Sequence, residues 1–369
     1  MDRLKPFNDL KPISRLEVEE NKALLKQAED TRVAIEILNY EINSLPNPSI
    51  LLDTLSLQEA KASSNIENIF TTNDDLYRGI VFDSFTAEAK EVSRYKDALF
   101  IGFNNLKEKG ILSISDIESI NEPVNKRQRG IRANLPEFES SYTRIANVSN
   151  GQNEILYTPP HGKELLNKLL VDMLEYVYDD EMFPAHPLVK IALAHYQFES
   201  IHPFYDGNGR TGRILNILLL CQKGYLSYPI LYASSYIIKN KNEYYALLQI
   251  CRQEDNYPLF IKYMLSSFET TAKKTLQMVN NIKSLMGKYS DEEFLKTLRG
   301  QKPVLRQVME LIFKKVYIRI EDLVELGVHR QTASSYLQQL VDQGLLQEEK
   351  IQRDKVFKNI ELLKLFEGE

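Results

Sequence analysis

The stretch "HPFYDGNGRTGR", residues 202–213, holds one histidine, one carboxylate, three glycines and two arginines in twelve positions. Before it, "LVKIALAHYQFESI" reads as a helix entered at Pro187. Pro203 should break that helix, because the residue before a proline avoids the α region. "FYDGNG" is therefore a loop, and "RTGRILNILLLCQ" resumes as a helix. Gly207 and Gly209 allow backbone dihedrals that turn several N–H groups to one side. Such a nest at the positive end of a helix is a phosphate site. Arg210 and Arg213 follow within the first turn, and a guanidinium fork matches phosphate geometry. Asp206 is a hard oxygen ligand suited to Mg²⁺ bridging a carboxylate and nucleotide phosphates. His202 supplies a group that exchanges a proton near neutral pH.

Two familiar loops are excluded. The flanking acidic ligands of an EF-hand are missing, and no Gly-Lys-Ser/Thr of a Walker loop follows. A Gly-Asn-Gly turn alone is usually a turn, and a His before Pro is usually structural. Their joint occurrence in one loop points to a site.

Outward from the stretch, helical periodicity dominates. Segments near 15–45, 50–68, 88–109, 162–178, 187–200, 210–223, 240–254 and 257–286 carry apolar residues three or four apart. One segment differs. "GIRANLPEFESSYTRIANVSNGQNEILYTPP" is rich in Asn, Ser, Gly and Pro, and its "TRIANV" and "EILYT" around "SNG" predict a hairpin. A boundary falls near "GKYSDEEFLKTLRGQKP". Beyond it "PVLRQVMELIFKK", "RIEDLVELG" and "HRQTASSYLQQLVDQG" read as three helices and "LLQEEKIQRDKVFKNIEL" as a β-wing, the order of a winged helix-turn-helix.

Residues His202, Phe204, Asp206, Gly207, Asn208, Gly209, Arg210 and Arg213 resemble the Fic family motif H-x-F-x-D/E-G-N-G-R-x-x-R, with eight fixed positions matched. The resemblance extends over roughly residues 50–290. It implies a mainly α-helical Fic-type bundle with a β-hairpin flap ending in "LYTPPHG". It also implies transfer of AMP from ATP to a Ser, Thr or Tyr hydroxyl of a target protein or of the chain itself. On that reading His202 is the base and Asp206 holds Mg²⁺. Gly207, Asn208, Gly209, Arg210, Thr211, Gly212 and Arg213 hold ATP, with Arg213 at the γ-phosphate. Tyr244 and Tyr245 of "NEYYALL" lie against the adenine. Phe204 is a core anchor.

"SSNIEN", residues 63–68, is by composition a polar helix end with Ser63 and Glu67 on one face. The resemblance gives it a second meaning. Many Fic proteins carry an inhibitory helix with S/T-x-x-x-E-G/N, and Ser63, Glu67 and Asn68 match it. Glu67 would then pair with Arg213 and occupy the γ-phosphate site. The implied domains are a helical region at 1–90 with the inhibitory helix at about 50–68, a Fic core at 91–290 and a winged helix at 291–369.

A winged helix suggests DNA. The third helix offers His329, Arg330, Gln331, Thr332, Ser335, Gln338 and Gln339 to base edges or phosphates. The wing adds Lys350, Arg353, Lys355 and Lys358, diluted by Glu348, Glu349 and Asp354. Target recognition, dimerisation or a plain structural role are the other uses of such a unit. Within the catalytic loop the alternatives are AMP removal, with Glu67 positioning water, or transfer of another phosphate-linked group. An ATP-sensing DNA-binding regulator is a reading of another class.

Composition sets bounds. The chain has 369 residues and a net charge of −5, with a pI near 5.8. That balance argues against coating nucleic acid through bulk charge. Cys221 and Cys251 sit in apolar helical surroundings without disulfide or metal spacing, as expected of a cytoplasmic protein. The N-terminus lacks an apolar h-region, and "ILNILLL" is too short to span a bilayer. The family resemblance also implies a homodimer.

Overall fold

The helix that leads into the 202–213 stretch, α7 (Pro187–Ile201), is buried from Leu188 through Ile201. An apolar surface all round a helix is the mark of such a central position. Even Lys190 is enclosed, and its ammonium donates to Asp180 Oδ1 at 2.7 Å. The computed structural model describes residues 2–45, 47–132, 142–149, 152–351 and 354–367. The hairpin turn at Asn150 and Gly151 and the wing residue Arg353 lie outside them.

α8 (Asn208–Gln222) packs against α7, and the two form the axis of the molecule. Around them stand α2 (Ser49–Ile66), α4 (Ala87–Lys109), α5 (Ile114–Val124), α6 (Lys163–Tyr178) and the long α11 (Tyr257–Ser290). α1 (Lys22–Asn43) runs along α11. It begins at Lys22, capped by Asn21, so Val18 of the expected periodic segment lies before it. The approach of α4 to α8 is close: a Cβ on Gly102 would meet Leu218 Cδ1 at 2.4 Å.

Helix α3 (Asn73–Phe82) follows α2, and α9 (Ser234–Lys239) and α10 (Lys241–Glu254) precede α11. The expected hairpin is present as β1 (Ile145–Ser149) antiparallel to β2 (Gln152–Tyr157), with Ser149 opposite Gln152. Tyr157 at its end is fully buried, and its hydroxyl donates to Ser200 O at 2.9 Å.

Beyond α11 come α12 (Glu292–Thr297), α13 (Lys302–Lys314), β3 (Tyr317–Ile318), α14 (Ile320–Glu325), α15 (Arg330–Asp342), β4 (Leu346–Ile351), β5 (Asp354–Asn359) and α16 (Ile360–Glu367). The strands form one antiparallel sheet in the order β3–β5–β4. This sheet docks on α3. Tyr317 donates to Asp74 Oδ1 at 2.5 Å and Lys358 to the same oxygen at 2.8 Å. Arg78 Nη2 donates to Glu349 Oε1 at 2.7 Å. Lys358 is therefore spent on α3 rather than offered to DNA, a correction to the wing's basic set. Asn359 ends the hairpin, so the last residues of the expected wing, 360–362, belong to α16. Among the described residues no helix is long and apolar enough to cross a membrane.

Candidate active site

α7 ends at Ile201, and His202 takes the left-handed conformation, φ 49° and ψ 59°. A residue other than glycine in that region is uncommon and strained. Here the strain is held from several sides. Arg132, itself 3% exposed, donates through Nε to His202 O at 2.9 Å and through Nη2 to Pro160 O at 2.9 Å. Its N–H reaches Pro203 O at 2.9 Å. One buried guanidinium thus ties the flap's exit to the histidine's backbone. Burial, reinforced by the Arg132 and Arg252 charges, lowers the His202 pKa to about 3. The imidazole is therefore neutral across the physiological range, the form that accepts a proton. Its Nδ1 is buried without a partner among the described residues.

Phe204 is fully buried. Asn208 clasps the loop around it: Phe204 N–H donates to Asn208 Oδ1 and Asn208 Nδ2 donates to Phe204 O, each at 2.8 Å. Gly207 caps α8 with φ 78°, where a Cβ would also press on Val124 O at 3.1 Å. The first ladder bond of α8 runs from Thr211 N–H to Gly207 O at 2.9 Å. The amides of Asn208, Gly209 and Arg210 precede that ladder, so the nest expected at the helix start is built.

A carboxylate lies beside it. A Cβ on Gly209 would meet Glu67 Oε1 at 2.5 Å and Arg213 Nη1 at 3.0 Å. A side chain at this position would have to displace the Glu67 carboxylate. Arg213, 2% exposed, donates through Nη2 to Glu67 Oε1 at 2.7 Å, and through Nε to Ser63 Oγ at 2.8 Å. Burial opposes its charge, yet the Glu67 carboxylate prevails and holds Arg213 above its ordinary pKa. Asn68, next to Glu67, has φ 60°. That left-handed position after a helix is one that glycine or asparagine fills. It accounts physically for the pattern ending in G/N. Lys241 closes the helix end, donating to Ile66 O at 2.5 Å.

Asp206 is one-third exposed, and its Oδ2 accepts the Lys126 N–H at 3.1 Å. Among the described residues no group of three His, Cys, Asp or Glu could hold a metal alone. A Mg²⁺ bound through one carboxylate and substrate phosphates needs only one. Asp206 fits that part: its carboxylate reaches solvent at the mouth of the nest.

Three family models match the chain: the Fic/DOC family N-terminal model over residues 25–104, the Fic/DOC family model over 106–220, and the C-terminal domain of protein adenylyltransferase SoFic-like over 293–362. The chain belongs to the Fic/DOC family. Among curated relatives, a Caenorhabditis briggsae protein adenylyltransferase fic-1 is 29% identical over 46% of this chain and 29% of its own. A Drosophila yakuba protein adenylyltransferase Fic is 34% identical over 31% of this chain and 22% of its own. The match thus spans less than a third of the length of these relatives. A Fic family protein from Desulfovibrio desulfuricans G20 superposes with a TM-score of 0.53 at 18% identity, covering 92% of this chain and 97% of that one. This last likeness concerns the fold.

Within this Fic/DOC chain the residues expected to contact ATP differ in their surroundings. Thr211 is fully buried, its hydroxyl accepts from Asn121 Nδ2 at 3.1 Å, and its N–H is in the ladder. Gly212 faces α7, where a Cβ would meet Glu199 Oε1 at 2.6 Å. Neither reaches the nest. The Asn208 side chain is committed to the loop, which leaves its backbone amide. Tyr244 is 1% exposed, enclosed by Tyr245, Phe260 and Tyr263, with its hydroxyl at 2.8 Å from His195 Nε2. In this conformation it presents no open face. Tyr245 is half-buried beside it and within the field of Glu67 and Arg213.

The sequence reading missed several residues. Arg132 and Lys241 lie far from the motif and act through backbone carbonyls, which leave no spacing signature. Glu91 bonds Arg210, and Glu199 and Glu59 are buried carboxylates within the field of Arg213. A buried acid inside a helix looks like any surface acid until the packing is known.

Proposed function

We propose that the chain is a protein adenylyltransferase that moves AMP from ATP to a hydroxyl side chain of a target protein, restrained by its own Glu67. The observation that carries this reading is the Glu67 carboxylate lying across the glycine start of α8 while bonded to Arg213. It occupies the position an anionic phosphate would take. A site that a carboxylate plugs and a neutral buried imidazole adjoins suits phosphoryl chemistry.

In the open state the α8 amides cradle the phosphates, Arg213 meets the γ-phosphate and Arg210 neutralises the chain. The target oxygen attacks the α-phosphorus. A new P–O bond forms, the bond to the β-phosphate oxygen breaks, and pyrophosphate leaves. The hydroxyl proton passes to the His202 imidazole. Base catalysis contributes about 10²–10⁴-fold, and positioning and charge stabilisation supply the rest. Asp206 would hold Mg²⁺, which neutralises phosphate charge when bound.

We read residues 1–90 as the region bearing the inhibitory helix, 91–290 as the Fic core and 291–369 as a winged helix. Lys355 pairs with Glu348 at 2.8 Å and Arg330 with Glu321 at 2.6 Å. With Lys358 on α3, that unit is better suited to docking within the protein than to DNA. The free Cys221 and buried Cys251 suit a reducing, cytoplasmic compartment. The homodimer implied by the family is tested by the mass in solution.

Incubation of the Glu67→Gly protein with Mg²⁺ and α-labelled ATP tests the activity. Label on a protein band is the expected outcome. Label leaving a premodified protein instead would favour AMP removal, and no movement of label would leave a nucleotide sensor.

A further inference from the structure

Arg210 does not stand alone in the cradle. Its Nη1 donates to Glu91 Oε2 at 3.0 Å, a contact spanning 119 residues. Both side chains are enclosed, 4% and 7% exposed. The other Glu91 oxygen, Oε1, accepts from Arg94 Nη1 at 2.9 Å. Lys126 Nζ lies 3.4 Å from the oxygen that Arg210 uses. Lys126 also gives its backbone N–H to Asp206 Oδ2. One buried carboxylate of α4 thus joins the motif's first arginine to the segment that lies on Asp206.

The second edge of Arg210 matters as much. Nη2 is 3.7 Å from Asp206 Oδ2, too long for a hydrogen bond. Its Nε is buried without a partner among the described residues. Arg210 and Asp206 are four apart on one chain, and without another acceptor the fork would close onto Asp206. That would occupy the carboxylate oxygen and turn the arginine from the phosphates. Glu91 takes the competing edge. A buried carboxylate with one partner would be costly to keep, and three cations surround this one.

We infer that Glu91 is a positioning residue for the AMP transfer proposed above. It keeps the Arg210 fork aimed at the phosphate chain and off Asp206, and through Lys126 it holds the 125–132 segment in register with the catalytic loop. The inference rests on that functional reading.

The test uses the full chain with Glu67→Gly, so that the brake does not mask the effect. Glu91→Gln keeps the shape and removes the charge. ATP affinity by titration calorimetry should weaken about tenfold and kcat should fall at least as much, with thermal unfolding little changed. In combination with Arg210→Ala it should add nothing, because the two act as one unit. Glu91→Asp should recover part of the loss. Unchanged ATP affinity and kcat in folded Glu91→Gln, or losses that add to those of Arg210→Ala, would overturn the inference. Lys126→Met, at a half-exposed position that folding tolerates, reads the same circuit: weaker ATP binding is expected and an unchanged value counts against it. Calorimetry reports on Glu91 even where no label moves, so failure of the transfer reading is seen separately.

Discussion

Arg213 Nη2 donates to Glu67 Oε1 at 2.7 Å, joining residues 146 apart in sequence across the glycine that opens α8. The contact ties the start of α8 to the end of α2, and on the function proposed above its rupture would be the step that admits a nucleotide.

Glu67→Gly should therefore raise the AMP transfer rate by about 10–100-fold, the equivalent of one charge-assisted hydrogen bond of about 1.5–3 kcal/mol. Adding Arg213→Ala should return the protein to inactivity. Transfer rates of the wild type, both single variants and the double variant check this, and a Glu67→Gly rate equal to wild type would refute the brake.

His202→Ala should lower transfer by at least about 10²–10⁴-fold while leaving ATP binding and the unfolding temperature nearly intact. A base works deprotonated, and the His202 pKa is lowered to about 3. The rate of the Glu67→Gly protein should stay flat on the acid side down to about pH 5. An acid limb centred near 6.5 would mean that the imidazole is solvated as in a free histidine.

Asp206→Ala should abolish both activity and its dependence on Mg²⁺ concentration. A variant that retains the rate and the metal titration would place the cation elsewhere.

Glu199 is buried with Oε1 unpartnered among the described residues, and burial raises its pKa to about 7 from an ordinary 4.5. The folded state therefore holds this proton more tightly than the unfolded chain. Its contribution to stability is fully present below about pH 4.5 and is lost as pH rises to about 7. Glu199→Gln should raise the unfolding free energy relative to wild type more at pH 8 than at pH 5, by of the order of 1–3 kcal/mol. A difference independent of pH would mean that the carboxyl is not desolvated.

The bundle, the flap and the loop were legible because each rests on local signals: long apolar periods, a Gly-Asn-Gly turn, a proline after His202. Helix α3 was missed for an equally physical reason. Gly79 sits within it because a Cβ would strike Phe85 Cδ1 at 2.3 Å, and that packing glycine together with Asp74 and Asp75 hides the helical pattern. In the site, spacing and family likeness point to His202, Asp206, Glu67 and Arg213, and the fold brings the last two into contact. Thr211, Gly212 and Tyr244 are enclosed by neighbouring helices, and a motif does not tell which side of a helix faces the cradle. Glu91 and Arg132 carried no local signal, since their meaning arises only where distant helices meet.

Thirteen of the eighteen residues of α2 are buried, whereas the Glu67 side chain beyond its last turn is 34% exposed. On the proposed function, unlatching would need no helix to leave the core, only a rotamer change of the Glu67 side chain. Such rotations are among the fastest motions in proteins. On the proposed function, idle turnover is then set by the fraction of time this contact is open. A brake open about 1% of the time caps any stimulation at about a hundredfold, a gap of about 2.8 kcal/mol. An activating signal has only that gap to close.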